Sequence, residues 1–113
     1  MIKVIVYQNH DGVFCGFRMK GHAGFAAYGS DIVCSAVSVL VINTMNSIEH
    51  FTDDRFKGAV HEKKDVVSFD IISRPVSADA ALLLNSLVLG LNAIQSKYGN
   101  KYIQIRIKKK KGV

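Results

Sequence analysis

The sequence predicts a two-layer α/β (α+β) sandwich, ββαββαβ in chain order, with two helices on a mostly antiparallel five-stranded sheet. Ile103, Ile105 and Ile107 alternate with polar residues near the end of the chain, and Val67 and Phe69 do so in an earlier segment. Such alternation is typical of strands that bury one face and expose the other. Two longer segments are apolar over most of their helical circumference, so we expect them to pack on each other and on the sheet.

The first third of the chain predicts a hairpin followed by a helix. Residues 2–8 are rich in β-branched side chains, residues 9–12 (Asn-His-Asp-Gly) favour a turn, and residues 13–20 form the returning strand. Ser30 is a good N-cap for a helix that runs to about His50.

A second hairpin follows the first helix. Residues 57–63 and 66–73 form its strands around a turn at Lys64 and Asp65. Pro75 ends the second of these strands, because proline lacks an N–H group and restricts the residue before it.

The end of the chain predicts one more helix and one more strand. Ser77 is a suitable N-cap, and Gly99 after Tyr98 is a suitable stop for the helix. The last strand covers residues 102–108.

Length and composition favour one globular domain over residues 1–113. The chain is 49% hydrophobic and 21% charged, which excludes a disordered protein. No apolar run approaches about 18 uninterrupted residues, and no charged-then-apolar signal segment begins the chain, so we expect a cytoplasmic protein that does not enter a membrane. Neither paired Cys-x-x-Cys ligands nor a phosphate-binding glycine motif is present, so no cofactor and no metal are expected.

Most of the net charge of +6 comes from the C-terminus. Arg106 and the four lysines of residues 108–111 supply five of the fifteen basic residues, which leaves ten against nine acidic residues. We therefore interpret residues 108–113 as a basic tail on a fold that is otherwise nearly neutral. Such a tail either steers the protein towards RNA or keeps an edge strand soluble.

The candidate chemistry lies between residues 21 and 38. His22 stands in a glycine-containing loop, and Cys34 follows just inside the predicted helix start, where unpaired N–H groups favour a thiolate. A neighbouring imidazole can accept the thiol proton and return it to a leaving group, as cysteine catalysis requires. These residues favour a thiol hydrolase with Cys34 as nucleophile and His22 as general base and acid. The alternative is that Cys34 is a small core residue.

Asp31 and Ser38 share a helix face with Cys34 in the first turns only, where the glycine loop arrives. Ser38 is placed to hydrogen-bond the loop, and Asp31 either starts the helix or orients His22. The glycines at 21, 24 and 29 either make turns or let the loop close over an extended peptide, with nearby N–H groups forming an oxyanion hole. Cys15, on a strand with no histidine beside it, is interpreted as structural.

The chain resembles the ribosomal-processing cysteine protease (Prp) family. The resemblance rests on Gly21-His22-Ala23, Gly29, Asp31-Ile32-Val33-Cys34 and Ala36-Val37-Ser38, in that order and spacing. Length and element order also fit. Within the resemblance, His22 and Cys34 match the catalytic pair of the family.

The resemblance implies a substrate and an assembly that the residues alone do not give. Family members remove a short N-terminal extension from bacterial large-subunit ribosomal protein twenty-seven, cutting after a phenylalanine, before productive ribosome assembly. They form homodimers, which agrees with the surplus of apolar helix surface. The alternative function is a non-catalytic RNA- or ribosome-associated module that uses the basic tail.

Overall fold

The computed structural model describes residues 1–21 and 28–112, with residues 28–31 and 62 described by their backbone only. Its strands are β1 (Ile2–Gln8), β2 (Phe14–Lys20), β3 (Phe56–His61), β4 (Val66–Ile71) and β5 (Ile103–Lys109). Its helices are α1 (Tyr28–Phe51) and α2 (Ala78–Tyr98), and a 3-10 turn covers Glu62–Lys64. The predicted α+β class and the order ββαββαβ are confirmed for these described ranges.

The strands form one mixed sheet in the spatial order β3-β4-β2-β1-β5. The pairs β1–β2, β2–β4 and β3–β4 are antiparallel, whereas β1 and β5 are parallel, with Ile2 opposite Ile103. A bulge interrupts the register of β1 and β2 between Tyr7 and Gln8, so that Gln8 faces Phe14 while Tyr7 faces Gly16. The extra residue of β2 at this bulge is Cys15.

The core lies between the sheet and the two helices. Its largest fully buried side chains include Phe17 and Phe69, whose rings stack with centroids 5.4 Å apart. The helices pack closely on each other, because a Cβ atom at Gly90 would lie only 2.8 Å from Leu40 Cδ1. The other face of the sheet has no helix over it in the described parts of the chain, which confirms the two-layer prediction.

Both helices are long and apolar enough, by length and hydropathy alone, to cross a membrane. Packing in the core explains part of this composition. Val33, Val37, Val41 and Ile48 of α1 and Leu84, Leu87 and Leu91 of α2 belong to the core. A core helix of a soluble domain passes the same test, so the two helices are weak evidence for a membrane protein.

Several local signals act as the sequence predicts. Ser77 caps α2, with its Oγ accepting a hydrogen bond from the Ala80 N–H at 3.0 Å. Gly99 ends this helix with a φ of 98°, a backbone conformation that glycine adopts without strain. In the first turn, Asn9 Oδ1 accepts from the N–H groups of Asp11 and Val13, both at 3.0 Å.

Several boundaries differ from the prediction, among them the end of β4, which is at Ile71 and not at residue 73. α1 begins at Tyr28, so Ser30 lies inside the helix and is not its N-cap. β3 ends at His61, because residues 62–64 leave the ladder in a 3-10 turn and Asp65 adopts a positive φ of 53°. The hairpin therefore turns earlier than the lysine-rich sequence indicates.

The interpretation of residues 108–113 as a free basic tail is wrong. Lys108 and Lys109 belong to β5. The Lys110 N–H donates to the Gln8 carbonyl at 2.8 Å, and its ammonium group pairs with Asp70. Backbone pairing with β1 holds this segment on the sheet, since a strand edge offers a row of hydrogen-bonding groups to the chain beside it.

Candidate active site

Cys34 is the seventh residue of α1 and lies in its second turn. Its side chain is half-buried and packs against the core. The unpaired N–H groups of a helix belong to its first four residues, and the field of the helix end falls off within the first turn. The expectation that Cys34 lies just inside the helix N-terminus is therefore wrong, because the helix starts earlier than Ser30.

Cys34 and Ser38 line the same pocket, which has a volume of about 190 Å³. The spacing of four residues places both side chains on one face of α1. Most of the remaining wall is apolar and comes from the sheet, through Ile2, Met19, Val60, Val66 and Val67. A thiol and a hydroxyl thus share the wall of a small, mainly apolar recess, between the second turn of α1 and the nearby end of the sheet.

Gly21 forms another part of this pocket, directly after β2. Its φ is 95°, and a Cβ atom there would lie 2.5 Å from the Met1 carbonyl oxygen. Its N–H donates to the Asp65 carbonyl at 3.0 Å. Both the backbone conformation and the lack of space require glycine here. The chain thus leaves β2 in a fixed direction, one residue before His22.

The sequence-predicted residues divide into three groups. Gly21, Cys34 and Ser38 are brought together in the pocket. His22 and Gly24 lie outside the described residues. Gly29 and Asp31 lie in the first turn of α1, and only their backbone is described.

Two further residues border the pocket, and sequence reasoning missed both. Asp65 lies in the turn between β3 and β4 and holds Gly21 through its carbonyl group. His61 ends β3; it is exposed, yet it also lines the pocket. Knowledge of the pairing of β4 with β2 would have indicated both residues, because this pairing places Val66 opposite Lys20, beside the start of the glycine loop.

Cys15 occupies the bulge of β2 and is 1% exposed. Burial raises the pKa of the Cys15 thiol, and this effect outweighs the positive charges of Arg74 and Lys110, which act in the opposite direction. The thiol also contacts the Tyr7 carbonyl oxygen at 3.7 Å. A buried, neutral thiol of this kind is a poor nucleophile, which agrees with a structural role.

No cluster of three or more His, Cys, Asp or Glu side chains suited to a metal ion occurs among the described residues. What the pocket offers is one half-buried thiol, a nearby hydroxyl, and a glycine of positive φ at the start of the loop. These are elements of nucleophilic catalysis, in which a thiol attacks a carbonyl group held beside it.

Comparison with known proteins gives consistent matches. The model of the family described as cysteine protease Prp matches residues 1–104. The ribosomal processing cysteine protease Prp of Staphylococcus aureus (strain Mu50) is 30% identical over 109 residues, which cover 96% of this chain and all of the relative. The protein of that name from Bacillus subtilis is 29% identical over 104 residues, covering 87% and 90% of the two chains.

A solved structure agrees with the sequence matches. The crystal structure of the S. aureus protease with a covalently linked product peptide superposes with a TM-score of 0.85 at 27% identity. The superposition covers 96% of this chain and all of that one. The fold of the present chain is therefore that of a protease whose structure holds a covalently attached peptide.

Proposed function

Because this chain belongs to the cysteine protease Prp family, we propose that it is a cysteine endopeptidase that trims a ribosomal protein precursor. The substrate is the short N-terminal extension of bacterial large-subunit ribosomal protein twenty-seven, which is cut after a phenylalanine. The observation that carries the proposal is the half-buried thiol of Cys34 in a small apolar pocket beside the start of the glycine loop. The family assignment favours the protease over a non-catalytic module.

Cys34 is the nucleophile and His22 is the general base and acid. His22 takes the thiol proton, and the sulfur attacks the carbonyl carbon of the scissile bond. The C–N bond then breaks as the imidazolium returns the proton to the leaving amine, which leaves a thioester on Cys34. Water hydrolyses the thioester, with the imidazole again as base, and restores the thiol. The covalently linked product peptide in the S. aureus protease supports this route.

The glycine loop contributes binding and closure. The segment that precedes α1 closes over the extended peptide, and Gly24 in that segment and Gly29 in the first turn of α1 allow the closure. Backbone N–H groups of the loop or of the first turn of α1 stabilise the oxyanion. Asp31 supports the helix start, and Ser38 holds the closed loop through its hydroxyl group. The fixed direction of Gly21 positions His22 for this arrangement.

The pocket beside Cys34 receives an apolar side chain next to the scissile bond. Its wall contains Met19, Val60 and Val67 together with Ile2, and its volume of about 190 Å³ suits a single side chain. Burying an apolar residue there gains about 1.5–3 kcal/mol. A charged residue in the same place loses its hydration against a mainly apolar wall, so the pocket selects against it.

The protease acts as a homodimer in the cytoplasm. Val39 and Leu89 are strongly exposed, and their chain neighbours Leu40 and Gly90 form the contact between the two helices. Together with Ile42 and Leu82, they give the helix layer an apolar outer surface of a kind that marks interfaces. Ultracentrifugation should find a dimer that Val39→Glu/Leu89→Glu dissociates, whereas Ile72→Glu, at another exposed apolar residue, should leave it intact. A monomeric wild-type protein would contradict the dimer.

The function is tested with a peptide that spans the precursor extension and its phenylalanine. Mass spectrometry should find one cut directly after the phenylalanine, and replacing that residue by aspartate should lower kcat/KM by at least about a hundredfold. Cutting at many positions, or equal cleavage of the aspartate peptide, would contradict the proposed specificity. Absence of cleavage in both the peptide and the full-length precursor would contradict the activity itself.

A further inference from the structure

We propose that the sheet face opposite the helices binds the phosphodiester backbone of a nucleic acid. The face is defined by the side chains that alternate with the core residues of all five strands. Six exposed cations lie on it: Lys3, Arg18, Lys20, Lys57, Arg106 and Lys108. This surface adjoins the Cys34 pocket at His61 and Val66, which line both the pocket and a groove on the face, but the binding proposed here is distinct from the proposed proteolysis.

The register arranges these cations in rows across the sheet. In the middle row, Arg18 and Arg106 flank Ile5 on the two neighbouring strands. In the next row, Lys57 of β3 and Lys108 of β5 lie at opposite edges, on either side of Tyr7. With strands about 4.8 Å apart, this row spans about 19 Å. The positive charge therefore covers the full width of the sheet, although the sequence indicates a basic tail only.

This charge is compensated only in part within the described parts of the chain, by Asp70, which lies opposite Lys57 on β4. Lys3 and Lys20 lie directly opposite each other on β1 and β2, an arrangement of like charges that destabilises a sheet. None of the six cations forms an ion pair with a described carboxylate. Asp70, the acidic residue on this face, is already paired with Lys110. An external polyanion would relieve the repulsion and replace the missing partners.

A groove on the same face indicates contact with phosphates more than with bases. It has a volume of about 460 Å³, and Arg18, Lys64 and Ser68 contribute cationic and hydroxyl groups to its wall. Tyr7 also lines it, but the Lys110 ammonium group lies 5.2 Å from the centre of its ring. The ring is therefore occupied by a cation and is not free for base stacking, the usual mode of sequence-tolerant base contact. The arginine and lysine side chains of the groove are therefore the groups that contact the phosphates of the nucleic acid.

The spread of the charge favours a nucleic acid over an acidic polypeptide. One strand of a duplex carries a phosphate about every 3.4 Å of helix axis, so the 19 Å row spans about five or six phosphates of one strand measured along that axis. Arginine fits phosphate in a two-pronged geometry, and two arginines occupy the centre of the face. An acidic peptide places its charges less regularly, so its carboxylates do not repeat at a spacing that serves all three rows of cations, the third being Lys3 and Lys20.

The test measures binding of a fluorescent twelve-nucleotide uridine RNA by anisotropy in 50–200 mM KCl. The variant Lys3→Gln/Lys108→Gln removes two charges from the face. Its matched control, Lys97→Gln/Lys101→Gln, removes two lysine charges from α2 and the segment after it. We expect the face variant to bind the RNA about tenfold more weakly at 100 mM KCl. The negative slope of the logarithm of its binding constant against the logarithm of the salt concentration should become shallower by about 1.4. The control should change affinity by less than about twofold.

Two further measurements make the outcome decisive. Circular dichroism and peptide cleavage should be unchanged in both variants, because neither pair of lysines belongs to the Cys34 pocket. Equal loss of RNA affinity in both variants would overturn the proposal, since net charge alone would then explain binding. Wild-type binding weaker than 1 mM at 50 mM KCl would also overturn it. Competition by polyglutamate as effective as that by RNA of equal charge would overturn it in favour of an acidic polypeptide.

Discussion

The two cysteines of this chain lie in different surroundings. Cys34 is half-buried in α1 and faces a pocket that it shares with Ser38 and Gly21. Cys15 is fully buried in a bulge of β2, where burial raises its pKa. The sulfur atom is the same in both, so the difference in function comes from access to substrate and from the groups around the thiol.

This difference shows that the reactivity of a cysteine thiol depends on its exposure and on a nearby base more than on the residue type. The Cys15 thiol has a carbonyl neighbour at 3.7 Å and cationic neighbours in Arg74 and Lys110, yet no histidine lies beside it among the residues that the structure describes. Cys34 lies beside the point where the chain enters the glycine loop with His22.

The largest effect is expected for removal of the two thiols one at a time. Cys34→Ala should lower kcat/KM for the precursor peptide by at least about a thousandfold, because no other group can form the thioester. Cys15→Ala should retain more than about a third of the activity. Steady-state cleavage assays on folded variants measure both. A Cys34→Ala variant with more than about a hundredth of wild-type activity would contradict the nucleophile assignment.

His22→Ala should lower kcat by about a hundredfold to ten-thousandfold with little change in KM, because its task is proton transfer. The pH–rate profile of the wild type should be bell-shaped, since it reports the coupled thiol and imidazole. His61→Ala is the matched control, because His61 lines the same pocket at the end of β3. If His61→Ala lost more activity than His22→Ala, the base would be His61.

Alkylation should distinguish the two thiols in the native protein. Iodoacetamide at pH 7 should modify Cys34 at least about tenfold faster than Cys15, because Cys15 is buried and protonated. Peptide mapping by mass spectrometry after timed quenching gives both rates. In 6 M guanidinium chloride the two rates should converge, and a preference that persisted there would show that the fold is not its cause.

Gly21→Ala should destabilise the fold near the Cys34 pocket. The added Cβ atom meets the Met1 carbonyl at 2.5 Å in a backbone of positive φ, so the free energy of unfolding should fall by about 1–3 kcal/mol. Gly12→Ala is the control, because Gly12 also has a positive φ of 80° but has open space around it. Urea denaturation of both variants isolates the steric contribution, and equal losses would show that only backbone strain matters.

The smallest effect concerns stability at alkaline pH. The folded state keeps the Cys15 proton to higher pH than the unfolded state does, because the pKa of this thiol is raised on folding. Above about pH 8.5, where a free cysteine ionises, the unfolded state loses its proton first and stability should fall. The decline between pH 8 and 9.5 should be smaller in Cys15→Ala. An identical decline in both proteins would exclude Cys15 as its source.

Local signals allowed most of the fold to be predicted from sequence. The Ser77 cap, the Gly99 stop and the Asn9 turn act through neighbours in the chain, and the structure confirms each of them. The helix start at Tyr28 was missed because Ser30 carries a capping side chain that the longer helix does not use. The capping propensity of Ser30 shows that this residue can begin a helix, but tertiary packing decides where the helix begins.

The site was predicted in part, and the missing parts come from distant segments. Cys34 and Ser38 are linked by helical spacing, so the sequence could place them together. Asp65 and His61 reach the pocket through the pairing of β3, β4 and β2, which no local pattern reveals. The basic face was missed for the same reason, because Lys3 and Lys108 become neighbours of one surface only when β1 and β5 pair.

The parallel ladder of β1 and β5 also governs how the protein reaches its native state. It joins residues that are about one hundred positions apart, such as Ile2 and Ile103, so a very long loop must close before these contacts form. Folding should be slower than in a helical domain of equal length, since rates fall as the mean sequence separation of contacts rises. Until β5 docks, the free edge of β1 is a template for intermolecular pairing, and aggregation during refolding should start there.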